Sequence, residues 1–133
     1  DKVSYGHATG HGIGQFLGVH EAMPVIAPHV TDPIRPGMVF SNEPGFYDEA
    51  AGFGIRLENM VEAVATESDE IVLKTITLVP FDPELIDVSL LNAAQKAWLK
   101  AYHQEIQNRI FPLLKPYEKQ VLKPMVDFFV KNG

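Results

Sequence analysis

Two short stretches concentrate the side chains of this chain that can do chemistry. The first, Gly6-His7-Ala8-Thr9-Gly10-His11-Gly12-Ile13-Gly14, is followed by Val19-His20-Glu21. The second, Ser41-Asn42-Glu43-Pro44-Gly45, is followed by Gly54-Ile55-Arg56-Leu57-Glu58-Asn59. Imidazole and carboxylate groups bind divalent metals, so three histidines with Glu43 and Glu58 among glycines and apolar residues suggest part of a metal site. His7 and His11 stand at i, i+4, a ligand spacing on a helix, but the glycines around them disfavour a helix. A strand or loop whose backbone lies close to a ligand fits better. The glycine spacing does not match the dinucleotide fingerprint, and no phosphate-loop lysine follows.

Glu43 ends an otherwise apolar run, Met38–Asn42. A carboxylate there needs a partner, because an unpaired buried charge is costly. That partner is either an arginine (Arg35, Arg56 or Arg109) or a metal ion. Glu58 poses the same choice, with Arg56 on its own strand face. Taken singly, each histidine also has a structural, hydrogen-bonded reading.

The elements that must position these residues are short. Met38–Asn42, Gly54–Val64 and Ile71–Val79 read as strands bounded by turns, with Asp48–Gly52 a loop between the two glutamate-bearing strands. The composition changes near residue 89. Asn92-Ala93-Ala94-Gln95 has capping-box form, and Ala94, Trp98, Ala101, Tyr102, Ile106 and Ile110 then recur at helical spacing. Pro112 and Pro116 should stop or kink that helix. A second helix is expected over 117–131, bent near Pro124, with Val121, Leu122, Met125, Phe128 and Phe129 as its apolar stripe. The reading is therefore α+β, with one part over 1–91 and a helical extension over 92–133.

Charge divides the same way. Residues 1–91 carry four basic and fourteen acidic side chains, residues 92–133 seven basic and three acidic. The acidic first part argues against nucleic acid and suits cations, and the lysines of the second part are dispersed. No apolar run of eighteen residues suggests a membrane span, and no charged-then-apolar leader is visible. The absence of cysteine excludes disulfides and thiolate zinc sites and suits a cytoplasmic location.

The motifs quoted above, extended to Asn42-Glu43-Pro44-Gly45-Phe46-Tyr47, resemble the catalytic half of the Xaa-Pro aminopeptidases. These are pita-bread metallopeptidases, related to prolidase, methionine aminopeptidase and creatinase. Leu78-Val79-Pro80-Phe81, Ile86-Asp87 and Trp98-Leu99-x-x-Tyr102-His103 resemble the long cytosolic type. The resemblance implies the carboxy-terminal half of a pita-bread fold, a curved antiparallel sheet with helices, followed by two terminal helices. It implies hydrolysis of the bond before a proline in second position, at two divalent ions, with manganese expected and zinc or cobalt possible. His11, Glu43 and Glu58 are similar to family metal ligands, and Glu43 also to a proton acceptor. His7 and His20 resemble the histidines that hold substrate and stabilise the tetrahedral intermediate, and Arg56 an arginine behind the ligands or in contact with substrate. The family's two aspartate ligands have no counterpart here. The expectation is a piece of a larger enzyme, inactive alone, holding one ion weakly or none. The expected partners are peptides with proline in second position, the upstream half of the polypeptide, and a second copy through Trp98, Phe128 and Phe129. A prolidase-type dipeptidase or a non-catalytic peptide-binding module is the alternative.

Overall fold

The computed structural model describes residues 5–132 apart from Leu17. Its contacts divide the chain after Thr77 into a sheet unit and a helical unit beginning at Leu78. The α+β class is as expected. The division precedes the change in composition because residues 78–81 are held by the helices: the Tyr102 hydroxyl donates to the Val79 carbonyl at 2.8 Å, and the Phe81 N–H donates to His103 Nε2 at 3.2 Å.

The sheet unit contains β1 (Gly10–Gly12), β2 (Ala22–Ile26), β3 (Val39–Asn42), β4 (Gly45–Asp48), β5 (Phe53–Arg56), β6 (Asn59–Ala65) and β7 (Ile71–Thr75). Five of them form a sheet in the order β2-β1-β3-β6-β7, and β4 and β5 form a separate hairpin; all these pairings are antiparallel. Register follows alternation. Phe40 stands opposite Val61, and Phe40, Val61 and Ala63 form the core with Ile26, Ile34 and Met38 against them. Burying a side chain such as Phe40 stabilises by roughly 1.5–3 kcal/mol.

The glycine-rich stretch around His11 contains strand β1, and Gly10 in it serves strand packing. A Cβ at Gly10 would collide with the Ser41 carbonyl oxygen on β3. The single strand expected over 54–64 is two strands. β5 pairs with β4 and β6 with β3, so Leu57 and Glu58 form the link between two sheets. The strand expected over 71–79 ends at Thr75, since Leu78 onward belongs to the helical unit.

In the helical unit, α1 (Ala93–Arg109) begins with both bonds of the Asn92–Gln95 capping box. It ends before a 3₁₀ turn containing Pro112, and α2 (Pro116–Asn132) follows. Pro116 suits the first helical position because its missing N–H has no intrahelical role there. Pro124 lies inside α2 on an exposed position. The buried face of α1 is rotated from the expected one. Leu99, Tyr102, His103 and Ile106 are buried, whereas Ala94, Trp98 and Ala101 are exposed. Trp98 instead stacks at the rim on Tyr102, centroids 5.2 Å apart. On α2, Val126 and Phe129 are buried and Val121 is exposed. Among the described residues no helix is long and apolar enough to cross a membrane.

Candidate metal centre

Three elements of the sheet unit converge on one point. His11 is the middle residue of β1, Glu43 follows the last residue of β3, and Glu58 lies in the β5–β6 link. One ligand atom from each lies within 4.8 Å of the others. Backbone bonding fixes Glu43: its N–H donates to the Thr9 carbonyl at 2.7 Å, extending the β1–β3 contact. Ser41, two residues earlier and 1% exposed, supplies a second tie. Its hydroxyl accepts from the His11 N–H at 2.9 Å and donates to Glu43 Oε1 at 2.8 Å.

The direction of the hydrogen bonds shows which atoms of the cluster can act as donors to a cation. His11 Nδ1 is 3.1 Å from the Gly12 carbonyl. A carbonyl only accepts, so Nδ1 carries the hydrogen and a neutral ring presents a bare Nε2. That Nε2 faces Glu43 Oε1 at 3.3 Å. Two lone pairs at this spacing repel unless a cation, a proton or a metal ion, lies with them. A ring hydrogen donated to a backbone carbonyl is also the usual support of a metal-bound histidine. Arg56 Nη1, 3.5 Å from Glu43 Oε2, offsets one carboxylate; Glu58 remains as surplus negative charge. The donor set of one imidazole and two carboxylates therefore fits a divalent ion. Both partners anticipated for Glu43, arginine and metal, have a place here.

Arg56 is tied in turn to Tyr47. Its Nε–H donates to the Tyr47 hydroxyl at 3.0 Å. That hydrogen bond is the largest cause of a raised guanidinium pKa; desolvation opposes it, and the Tyr47, Glu43 and Glu58 charges add smaller contributions in the same direction as the bond. The same hydroxyl lies 2.7 Å from His7 Nε2. His7 is thus connected to the cluster through Tyr47 and Arg56. His20 joins from another side, its ring edge-to-face with that of His11 at 4.4 Å. His20 has φ of 59°, a left-handed conformation that non-glycine residues adopt uncommonly. Glu21 braces the loop before it, accepting from the Phe16 and Gly18 N–H groups at 2.9 and 2.7 Å.

All six residues singled out in the sequence, His7, His11, His20, Glu43, Arg56 and Glu58, are thus linked by contacts. Sequence reasoning gave no role to Ser41, Tyr47 or Glu21. Ser41 stands at i−2 from Glu43, hence on its strand face. Tyr47 is bracketed by Gly45 and Gly54, whose missing side chains leave room for an aromatic ring.

Residues 2–65 match the model of metallopeptidase family M24, and residues 71–125 match the C-terminal region of peptidase M24. This chain belongs to metallopeptidase family M24. The M24 chain is 40% identical over 125 residues to a probable Xaa-Pro aminopeptidase P of Laccaria bicolor, covering 86% of this chain and 19% of the relative. It is 42% identical over 117 residues to Xaa-Pro aminopeptidase 2 of Sus scrofa, covering 85% and 17%. Among solved structures it resembles X-prolyl aminopeptidase from Caenorhabditis elegans, described as a cytosolic enzyme with a di-nuclear active site. The TM-score is 0.70 at 30% identity, with 94% of this chain and 21% of that one covered. The α+β elements are thus those of part of a pita-bread fold. The chain spans about a fifth of the length of these relatives.

Proposed function

We propose that this chain is the carboxy-terminal part of the catalytic domain of a dinuclear Xaa-Pro aminopeptidase, which removes the residue before a proline in second position. The carrying observation is the bare Nε2 of His11 facing Glu43, with Glu58 alongside. The Xaa-Pro aminopeptidase names of the relatives and the di-nuclear site of the nematode structure support it.

In this reading His11, Glu43 and Glu58 hold divalent metal, and the remaining ligands come from an upstream segment. When bound, the ions supply Lewis-acid activation of water and of the scissile carbonyl. Glu43 accepts the proton of the attacking water at a carboxylate already oriented by Ser41 and Arg56. His20, beside His11, donates to the developing negative oxygen. His7 and Arg56 line the approach of the proline side. Manganese suits the oxygen-rich set, and zinc or cobalt can replace it. A cytoplasmic location agrees with the nematode protein's description. A homodimer through the helical unit rests on the exposed Trp98; of the other two residues expected at that face, Phe128 is half-buried and Phe129, stacked on His103, belongs to the core instead.

The test is cleavage of an Xaa-Pro tripeptide by the longer protein containing this chain, with added manganese, zinc or cobalt. Release of the first residue is expected, with none from the 133-residue chain alone. Absence of cleavage by the longer protein with every ion would overturn the reading, and cleavage confined to dipeptides would shift it to a prolidase.

A further inference from the structure

We propose that Tyr47 is a positioning residue that, together with the Ala8 carbonyl, holds His7 in its Nδ1–H tautomer and withholds its Nε2 from any other donor. His7 Nδ1 lies 2.7 Å from the Ala8 carbonyl oxygen. Only the nitrogen can donate in that contact, so Nδ1 bears the hydrogen and Nε2 of the neutral ring is an acceptor. The Tyr47 hydroxyl, 2.7 Å from that Nε2, must then be the donor. A hydroxyl that donates is free to accept, and Arg56 Nε–H donates to it at 3.0 Å. The result is a directed series: Arg56 N–H to Tyr47 oxygen, Tyr47 O–H to His7 Nε2, and His7 Nδ1–H to the Ala8 carbonyl.

The hairpin is shaped to hold this tyrosine. Gly45 and Gly54 lie on its strand face, Gly54 directly opposite it. A Cβ on either would come within 2.5 Å of the Tyr47 side chain. The ring is also edge-on to His7, centroids 5.5 Å apart, and Tyr5 lies 4.9 Å from His7 beside it. His7 is thus oriented by ring contacts and by hydrogen bonds at both nitrogens.

His7 and His11 make the same bond from Nδ1, each to the carbonyl of the following residue. Their hydrogen bonding differs at Nε2. A neutral donor covers it in His7, whereas a carboxylate faces it in His11. Tyr47 is therefore what separates a ring positioned as a neighbour of the site from one positioned as a ligand. A consequence, resting on the peptidase reading, is that His7 in this state offers substrate its ring face and no N–H.

Nitrogen-15 NMR of the histidine rings in the 133-residue chain at neutral pH tests the assignment apart from any activity. The expected wild-type pattern is a protonated Nδ1 and a bare Nε2 at His7. In Tyr47→Phe the tautomer ratio should move toward Nε2–H by roughly five- to tenfold, the ratio carried by one ordinary hydrogen bond, while the His11 ring signals hold. A protonated Nε2 at wild-type His7, alone or with Nδ1, overturns the proposal. So does an unchanged ratio in Tyr47→Phe. The wild-type spectrum suffices even where the variant disturbs the hairpin.

Discussion

His11 in the sheet unit and His103 in the helical unit are both shielded histidines, and their surroundings differ in kind. His103 is 0% exposed. Its Nδ1–H donates to the Leu99 carbonyl at 2.7 Å, its Nε2 accepts from the Phe81 N–H at 3.2 Å, and its ring stacks on Phe129 at 4.2 Å. Both nitrogens are satisfied by neutral groups, and burial, against the smaller effect of the Leu99 bond, lowers its pKa below the ordinary 6.5. That is a histidine serving as a shaped, polar core residue. His11 makes the same kind of Nδ1 bond but turns Nε2 toward the Glu43 carboxylate, in a cluster that also includes Glu58. What the second nitrogen meets separates a structural imidazole from a ligand.

The comparison breaks most visibly at the ligands. His11→Ala should reduce divalent-ion affinity by more than the roughly 10–100-fold that an outer supporting partner carries, measured by calorimetry on the chain or the longer protein. Phe129→Ala, which removes the ring stacked on His103, should lower the stability of the helical unit by roughly 3–5 kcal/mol in urea unfolding. Ser41→Ala, leaving Glu43 without its hydroxyl donor, should weaken ion binding by roughly 10–100-fold without abolishing it. At His103 the sign of the pH dependence follows from linkage. The unfolded chain takes up a proton near the ordinary 6.5 and the folded chain only at lower pH. Stability is therefore full above that value and falls as pH drops from it toward the folded-state pKa. Unfolding midpoints at stepped pH should show this slope, and a His103→Phe variant should lack it. The carboxyls of Asp87 and Asp127, lowered mainly by hydrogen bonds from Ser89 and Lys123, act only below their ordinary 3.8 and leave that window clear. The smallest expected effect is at the helix start, where Asn92→Ala should cost about 1 kcal/mol.

The cluster was legible in the sequence because a carboxylate closing an apolar strand and a histidine among glycines are both locally anomalous. The capping box at Asn92 was legible because it is wholly local. What did not show was decided by partners distant in sequence. Nothing between residues 54 and 64 announces that β5 and β6 pair with different strands, since each half alternates acceptably on its own. The α1 face was misplaced because Ala94, Trp98 and Ala101 share the helical period with the true stripe. The segment 78–81, supplied by another part of the chain, selects Tyr102 and His103 for burial. Tyr47 and Ser41 were passed over because a hydroxyl becomes informative only once both of its hydrogen-bond neighbours are known.

The most direct test of the metal centre is to add manganese to the nitrogen-15-labelled longer protein containing this chain, where the remaining ligands are present, and follow the histidine ring signals of this part. Paramagnetic broadening should strike His11 first and His20 next, while His103 stays sharp. If His11 stays as sharp as His103 up to millimolar manganese, or all the histidines broaden together, His11, Glu43 and Glu58 do not form a divalent-ion site.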